Sequence, residues 1–432
     1  MRIFGGMARV WLTAAAGALY LLATPLAAFG GEEGKRLVPV TETPVDISGW
    51  AAPDAHAAQA NQKRLEQLTA LGQALFHDRR LSSSGQLSCA SCHDPAHAFS
   101  PANGHAVQRG GKRMAGFGTR AVPGLMYLQT SPVFTLHGFE DEGARAGQDN
   151  GPTGGFTWDG RVDSLQAQAL LPLFAANEMA STPAHVQRVV QRAGYADLFA
   201  QLFGPDSLQQ AGSVAEQVAL ALQTYQQSAP VFYPYTSKYD AVLRGKARLS
   251  RQEARGLDVF NREDKGNCAS CHPSAISANG AFPQFTDYGY ANLGLPRNKR
   301  IPANQNPRYF DKGLCGPLRQ DLADLADYCG MFKVPTLRNV ALKKVFYHNA
   351  SATDLASAVR FYAERDTRPQ RWYPRDAHGR LLRFNDLPPD QRYALEMEAP
   401  FGQKPGEASP LTAADVRDIV AFLKTLTDGY RP

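Results

Sequence analysis

The pentapeptide Cys-Ala-Ser-Cys-His stands at residues 89–93 and again, letter for letter, at residues 268–272. Each copy follows a segment of the form Gly-x-x-aliphatic-Phe, at residues 72–76 and 256–260, with a polar loop in between. Two such matched blocks in one chain of 432 residues indicate an internal repeat on the scale of a domain. The sequence therefore predicts two related domains, each organised around one pentapeptide.

An amphipathic helix follows late in each half of the chain. Apolar residues recur at helical spacing over residues 213–227 and 412–426. The proline-bounded segment 230–234 is the expected bridge between the halves, because proline interrupts both helix and sheet. Strand signals are weak, apart from a candidate hairpin arm at residues 380–384.

The spacing Cys-x-x-Cys-His is the attachment signature of a c-type haem. The two thiols bond to the haem edge, and the adjacent histidine ligates the iron. A zinc site and a redox dithiol are the alternatives, but zinc usually has its Cys and His pairs closer together, and a dithiol needs no adjacent His. The sequence predicts two covalent haems, attached at Cys89, Cys92, Cys268 and Cys271 and ligated by His93 and His272.

These features predict a mostly α-helical protein with little β structure, built from two cytochrome c-like domains with one haem each. We expect the first domain at residues 61–235 and the second at residues 236–432, with the haems near their interface. Each haem supplies apolar core, which suits a chain with 38 glycines and 29 prolines.

The remaining cysteines, Cys315 and Cys329, have no adjacent histidine. In an exported protein a disulfide between them is the simplest expectation. It would contribute about 3 kcal/mol by loop-closure arguments. Free thiols and metal ligands remain the alternatives.

The first 30 residues have the pattern of an export signal. Two arginines precede an apolar run over residues 10–22, and small residues follow it, so that cleavage after Ala28 or Gly30 fits. An uncleaved anchor is the alternative, although the run is short for a membrane span. Residues 31–60 are expected to form an extended N-terminal arm. We therefore expect a periplasmic protein whose mature chain has no membrane span.

Composition and charge exclude several other classes of protein. Hydrophobic residues make up 44% and charged residues 20% of the chain, which excludes a disordered chain and a bundle of membrane helices. The net charge of +6 is small and scattered, so a nucleic-acid partner is not expected.

Between the pentapeptides lies Phe-Thr-Trp-Asp-Gly-Arg at residues 156–161, followed by Leu165, Gln168, Pro172 and the pair Glu178-Met179. This run resembles the signature of bacterial di-haem cytochrome c peroxidases and the related MauG enzymes. Residues 332–340, Phe-Lys-Val-Pro-Thr-Leu-Arg-Asn-Val, and residues 347–349, Tyr-His-Asn, resemble two further blocks of that family. The resemblance covers residues 65–430, and the blocks together are more specific than either pentapeptide.

The resemblance implies a role for each matching position. His93 would be the proximal ligand of the haem that reacts with hydrogen peroxide, with Gln168 and Glu178 in its distal pocket. Glu178 would accept a peroxide proton and return it to the leaving oxygen. Trp158 would relay electrons between the haems, and His272 would ligate the second haem. Without the resemblance, Glu178 is equally a helix-cap or surface residue, and Trp158 a core aromatic.

One departure from the family concerns the loop after the first pentapeptide. Peroxidases that need reductive activation commonly carry a distal histidine there, whereas residues 113–119 contain none. His105 lies earlier in the chain and is an alternative ligand, although most single histidines bind no metal. We therefore expect a five-coordinate first haem that is ready for peroxide.

A second departure concerns the sixth ligand of the second haem. Aligned on His348, the family's usual Met position holds Tyr362, as in MauG-like enzymes. Tyr362 also continues an apolar helical stripe, so it is equally explained as a packing residue. Met331 is a rival ligand. An anionic phenolate favours ferric iron, which suits a haem that stores an oxidising equivalent.

Residues 360–374 resemble the methanobactin-associated branch of MauG-like di-haem enzymes. The resemblance implies peroxide-dependent oxidation of a tryptophan side chain in a small exported partner protein, through an oxidised state shared by both haems. The alternative is a cytochrome c peroxidase that reduces hydrogen peroxide with electrons from a small donor protein. A di-haem protein that only carries electrons is disfavoured, because electron transfer alone does not require Gln168 and Glu178 together in a distal pocket.

Calcium between the haems is a feature of the family that this sequence supports poorly. The usual Asn is replaced near Ala121, and Lys343 and Val345 stand where backbone oxygens are expected to bind the ion. Calcium is therefore a poorly supported third cofactor beside the two haems.

Overall fold

The computed structural model describes residues 55–138, 149, 151–392 and 394–431, which belong to one compact unit. Regular structure within these residues is mostly helical, and the short strands form two antiparallel pairs. This confirms the mostly α-helical fold class expected from the sequence. The boundary predicted between residues 235 and 236 stays a prediction.

The helices, in chain order, are α1 (Ala55–His77), α2 (Cys89–Cys92), α3 (Leu165–Phe174), α4 (Pro183–Arg192), α5 (Ala196–Phe203), α6 (Ala211–Gln226), α7 (Ala229–Phe232), α8 (Lys238–Leu243), α9 (Arg251–Asn261), α10 (Leu355–Glu364) and α11 (Ala413–Lys424). The strands are β1 (Arg109–Gly110), β2 (Gly116–Phe117), β3 (Tyr290–Ala291) and β4 (Phe332–Lys333). Strand β1 pairs with β2, and β3 pairs with β4. Loops and short 3-10 turns connect these elements.

The first hydrophobic core is centred on α6. This helix packs against α1 and also contacts α3 and α4. Its apolar stripe is fully buried and consists of Val214, Val218, Ala221, Leu222 and Tyr225. Burial of this stripe gives α6 its stability, since most helical stability in proteins comes from packing of an apolar face.

The second hydrophobic core is centred on α11, which packs against α9 and α10. The helix begins with a capping box, in which the Asp415 N–H donates to the Thr412 hydroxyl and the Thr412 N–H donates to the Asp415 carboxylate. Its buried face consists of Val416, Ile419, Phe422 and Leu423. The two helices predicted from periodicity are thus the centres of two similar cores.

The glycine of each Gly-x-x-aliphatic-Phe segment lies where two helices cross. A Cβ on Gly72 would lie 1.9 Å from the carbonyl oxygen of Ala221 in α6. A Cβ on Gly256 would lie 2.0 Å from the carbonyl oxygen of Asp418 in α11. Both distances are far below van der Waals contact, so only glycine permits these crossings. The repeated segment therefore fixes the same helix crossing in both cores.

We expect Gly256→Ala to lower the free energy of unfolding by roughly 3 kcal/mol, since α9 must move away from α11. Chemical denaturation followed by circular dichroism measures the loss. Gly212→Ala in α6 is the matched control, because a Cβ there meets nothing within 4 Å and alanine is the better helix former. Equal stability of the Gly256 variant and wild type would show that the crossing tolerates a methyl group.

Two details differ from the sequence expectation. The segment 230–234, expected to interrupt regular structure, contains the short helix α7, because Pro230 lies in its first turn, where proline needs no N–H partner. Phe232 of this helix is fully buried in the first core. The hairpin expected near residues 380–384 exists only as a single bridge between Arg375 and Leu381.

Cys315 and Cys329 form a disulfide, with Cα atoms 5.0 Å apart. The predicted signal peptide, residues 1–30, lies outside the described residues, and so does most of the predicted arm. Residues 55–60, expected to belong to the arm, are part of α1. Among the described residues, no helix combines the length and the apolar character that a membrane span requires.

Candidate functional site

The first pentapeptide forms α2 and ends at His93, which caps the helix. The His93 ring nitrogen Nδ1 lies 3.0 Å from the carbonyl oxygen of Phe99. An Nδ1–H that donates to a carbonyl selects the tautomer in which Nε2 carries the lone pair and can ligate a metal. Burial lowers the pKa of His93 to about 4, so the imidazole is neutral, as a metal ligand must be.

The second pentapeptide repeats this arrangement. The Nδ1 of His272 lies 2.7 Å from the carbonyl oxygen of Phe285, and burial lowers the pKa of His272 to about 4. Phe99 and Phe285 both have positive backbone angles, with φ of 53° and 54°. Positive φ is uncommon outside glycine. The two copies therefore use the same unusual turn to orient their histidines.

The donor atoms of each pentapeptide fit a c-type haem. Two thiols on one turn, next to a neutral imidazole, are the groups that covalent attachment and axial ligation require. A cavity of about 210 Å³ is lined by Cys268, Cys271 and His272 together with mainly apolar side chains. A smaller cavity of about 90 Å³ begins just after the first pentapeptide, at Ala98 and Ser100.

Glu178 lies close to the first pentapeptide. Burial and then the charge of Glu178 raise the pKa of Cys92 to about 11. Burial raises the pKa of Glu178 itself, and Arg161 opposes this rise. The residue as a whole is nevertheless exposed to solvent, so the surrounding protein atoms crowd the carboxyl without covering it. Glu178 thus has the raised pKa that suits a proton acceptor.

The hairpin of β1 and β2 holds the backbone of Glu178 in place. The N–H of Gly111 donates to the carbonyl oxygen of Glu178 at 2.6 Å. A Cβ on Gly110 would lie 2.4 Å from the carbonyl oxygen of Asn177, so glycine permits this close approach. The loop without a histidine is therefore packed against the segment that carries Glu178. His105 is exposed.

Trp158 lies between the two cavities and lines both of them. Its indole N–H donates to the carbonyl oxygen of Ala121 at 2.7 Å. Its backbone carbonyl accepts from the Lys333 N–H of β4 at 2.9 Å. Gln168 of α3 lines the smaller cavity together with Trp158. The structure therefore brings together the two residues that the sequence analysis assigned to the first site and the relay.

The residues after Trp158 form a buried ion-pair network. Asp159 pairs with Arg120 and with Arg161, each at 2.7 Å, and Arg120 also pairs with Asp311 at 2.6 Å. Buried charges are stable only when they are paired and hydrogen-bonded, so removal of one partner is costly. The network therefore holds the backbone that directly follows Trp158 against two distant segments.

Helix α10 forms one wall of the larger cavity. The residues of its apolar stripe all face this space: Leu355, Ala358, Val359 and Tyr362. Burial and then the sulfurs of Cys268 and Cys271 raise the pKa of Tyr362, which shows that the phenol lies near the second pentapeptide. The apolar stripe of α10, which from the sequence is equally explained by ordinary packing, therefore forms a wall of the larger cavity.

Met331, the rival ligand, is placed differently. Its neighbours Gly330 and Phe332 line the larger cavity, but Met331 itself is not among the lining residues. Its backbone carbonyl accepts from the Leu314 N–H at 3.2 Å, beside the disulfide. The structure thus brings Tyr362, and not Met331, to the second pentapeptide.

Two lysines lie in the wall shared by the cavities, and the sequence analysis assigned no role to the side chain of either. Lys333 donates to the carbonyl oxygen of Gly154 at 2.8 Å, and burial lowers the pKa of Lys333 to about 7. Burial also lowers the pKa of Lys343, to about 8. No pattern in the sequence indicates that these lysines lie in a cavity wall, because lysine normally predicts a surface position.

The calcium prediction stays untested. The carbonyl oxygen of Ala121 already accepts a hydrogen bond from Trp158, and the side chain of Lys343 enters the shared wall. Within the described part of the chain, no group of three or more His, Cys, Asp or Glu side chains could hold a further metal ion.

Comparisons with known proteins identify the family. The family model for di-haem cytochrome c peroxidase matches residues 66–248. The methylamine utilization protein MauG of Paracoccus denitrificans is 33% identical over 400 residues, which cover 88% of this chain and 94% of that protein. The chain belongs to the di-haem cytochrome c peroxidase/MauG family. It is therefore a haem-dependent oxidoreductase, and the resemblance noted in its sequence is confirmed.

Two solved structures of family members are similar to this one. The diheme peroxidase BthA from Burkholderia thailandensis superposes with a TM-score of 0.74 at 37% identity, covering 89% of each chain. A MauG-like protein associated with microbial copper homeostasis superposes with a TM-score of 0.58 at 27% identity, covering 84% of this chain and 90% of its own. Membership implies haem c as cofactor and hydrogen peroxide as substrate.

Proposed function

We propose that the chain uses hydrogen peroxide to oxidise a tryptophan side chain of an exported partner protein. The observation that carries the proposal is the position of Tyr362, whose phenol faces the cavity of Cys268, Cys271 and His272. A tyrosinate ligand stabilises oxidised iron, so the second site would retain an oxidising equivalent until a partner arrives. Similarity to MauG proteins supports this proposal.

Each residue of the first site would have its own role in the reaction with peroxide. Cys89 and Cys92 would hold the first haem, His93 would ligate it, and the haem would supply the iron that takes peroxide. Glu178 would accept a proton from one peroxide oxygen and return it to the other. Gln168 would orient the peroxide from the neighbouring cavity wall. The hairpin at Gly110 and Gly111, which contacts the backbone of Glu178, supports this role by fixing the segment that carries the carboxylate.

Trp158 would carry electrons from the second site to the first. Its indole spans the wall between the cavities, and its N–H is held by Ala121. Each of the predicted domains, 61–235 and 236–432, would supply one side of this wall. An exported, periplasmic protein fits the predicted signal peptide.

We expect Trp158→Phe to keep peroxide binding at the first site but to slow oxidation of the second site at least tenfold, because phenylalanine is harder to oxidise. Stopped-flow absorption after one equivalent of peroxide follows both haems. Tyr430→Phe, which changes an aromatic side chain outside both cavities, is the control in the same assay. An unchanged rate in the Trp158 variant would remove the relay role.

A cytochrome c peroxidase is the second candidate. The observation in its favour is the 37% identity with the diheme peroxidase BthA over 89% of both chains. In that case the partner is a small donor protein, and the products are water and oxidised donor.

A direct experiment separates the two functions. The purified di-haem protein is treated with peroxide in the presence of small exported proteins from its host, and mass spectrometry maps the oxidised residues. The proposal expects peroxide-dependent oxidation of tryptophan in one partner and slow turnover with reduced small cytochromes. Rapid turnover with such a donor and no modified side chain would establish the peroxidase instead.

A further inference from the structure

Residues 360–383 form a strongly basic surface next to the second site. The segment contains seven arginines and three carboxylates. The carboxylates are shielded, since the side chains of Asp366, Glu364 and Asp376 are 2%, 12% and 18% exposed. The exposed arginines are Arg360, Arg368, Arg371, Arg375 and Arg380, here named the arginine surface. The charge that an approaching molecule meets is therefore positive.

Two separate groups of contacts position the arginines of the arginine surface. Glu364 of α10 pairs with Arg371 at 2.6 Å and lies 3.6 Å from Arg368, and Arg360 is one helical turn before it. In the turn that follows, Arg375 donates to the carbonyl oxygen of Gly379 at 2.6 Å. These carboxylates fix the arginines and offset part of their charge, and seven arginines against three carboxylates leave a net charge of +4.

Apolar side chains lie among these arginines. Leu382 is 39% exposed, and its N–H donates to the carbonyl oxygen of Pro374 at 2.8 Å. Trp372 is half-buried and directly follows Arg371. Tryptophan and arginine are the residues most enriched at the energetic centres of protein interfaces. The composition of this surface is therefore that of a docking site for a protein.

An aromatic path leads from Trp372 to the second site. The ring of Trp372 lies 5.2 Å from Phe361, and Phe361 lies 6.4 Å from Tyr362. Tyr362 faces the cavity of the second pentapeptide. The Trp372 N–H is buried without a hydrogen-bond partner among the described residues, so an oxidised indole has no adjacent acceptor for its proton and stays a strong oxidant. Trp372 is therefore both close to the site and next to the arginines.

We propose that the arginine surface docks an acidic partner protein and that Trp372 passes the partner's electrons to the second site. This inference rests on the proposed function, which supplies peroxide as the oxidant. Reduction of one hydrogen peroxide to two waters takes two electrons and two protons. Each electron leaves the partner's tryptophan and replaces one that Trp372 has passed inward past Phe361 toward Tyr362. The tryptophan that has lost two electrons takes an oxygen atom from water and releases two protons, which balance the two protons that the peroxide consumes.

Binding to two synthetic peptides tests the docking. The peptides are Glu-Glu-Trp-Glu-Glu and Lys-Lys-Trp-Lys-Lys, each labelled at one end for fluorescence anisotropy with the di-haem protein at low salt. We expect tighter binding of the acidic peptide and about tenfold weakening in the triple variant Arg360→Gln, Arg368→Gln, Arg371→Gln. Added salt should weaken wild-type binding more than that of the variant.

The control variant removes the same charge elsewhere. Arg188 and Arg192 are exposed on α4, and Arg251 is exposed at the start of α9, so the triple Gln variant of these positions has the same net charge. It should bind the acidic peptide within twofold of wild type. Equal affinity for both peptides, or equal losses in the two triple variants, would overturn the docking surface.

Trp372→Phe tests the electron path. This variant should bind the acidic peptide like wild type but oxidise its tryptophan at least tenfold more slowly, as measured by mass spectrometry after addition of peroxide. An unchanged oxidation rate would overturn the role of Trp372. If wild type consumes peroxide and oxidises neither peptide, the proposed function fails, whereas the anisotropy data still decide whether the arginine surface binds acidic chains.

Discussion

Replacing Tyr362 with histidine is expected to leave two haems attached and to abolish oxidation of the partner protein. The phenol faces the cavity of the second pentapeptide, and histidine can still supply a sixth ligand from α10. A neutral imidazole stabilises oxidised iron less than a phenolate does, so the potential of the second site should rise. We expect at least a hundredfold loss of partner oxidation.

Electron paramagnetic resonance decides the assignment. Ferric wild type should show one five-coordinate high-spin haem and one low-spin haem, and it should react with peroxide without prior reduction. The low-spin signal should shift in Tyr362→His and stay unchanged in Met331→Leu, because Met331 does not line the cavity. Loss of that signal in Met331→Leu, with Tyr362→His spectrally silent, would assign Met331 as the ligand and favour the peroxidase function.

Glu178→Gln should keep both haems and slow the reaction with peroxide by about two to four orders of magnitude, the usual contribution of a positioned acid–base group. Glutamine has nearly the same shape but cannot accept the peroxide proton. Glu66→Gln on the exposed face of α1 is the control for the loss of one charge. A stopped-flow trace identical to that of wild type would exclude Glu178 from proton transfer.

The pH dependence of the same reaction gives a second test of Glu178. Crowding by protein atoms raises the pKa of this carboxyl above its ordinary value, so the base form is lost at a higher pH than for an unperturbed glutamate. The wild-type rate should therefore fall as the pH drops through this raised pKa. In Glu178→Gln the slow residual rate should show no such inflection.

The sequence alone predicts much of this molecule, for reasons that the structure explains. The two pentapeptides imply two histidine ligands, and both histidines have the Nδ1 hydrogen bond that prepares Nε2 for iron. The glycine in each preceding segment could be noted as a repeat, but its purpose depends on a partner helix about 150 residues away in sequence. Periodicity indicates that a face is buried, not what covers it.

Other parts of the site could not be predicted, because they depend on tertiary contacts between distant segments. Helical spacing in α10 could not distinguish packing from a cavity wall, and only the position of Tyr362 beside Cys268 and Cys271 does so. Buried Lys333 contradicts the usual preference of lysine for water. The contact of Gly111 with Glu178 joins a hairpin and a loop that no local pattern connects.

The pairing of the cysteines has a consequence for how the protein is made. Cys315 and Cys329 are oxidised to a disulfide, whereas Cys89, Cys92, Cys268 and Cys271 must remain thiols until haem is attached. One compartment must therefore oxidise one pair and spare two others. The pentapeptide cysteines are partly buried in the folded chain, so we expect haem to be attached before the chain closes around them. Maturation therefore has to keep the pentapeptide thiols reduced while Cys315 and Cys329 are oxidised.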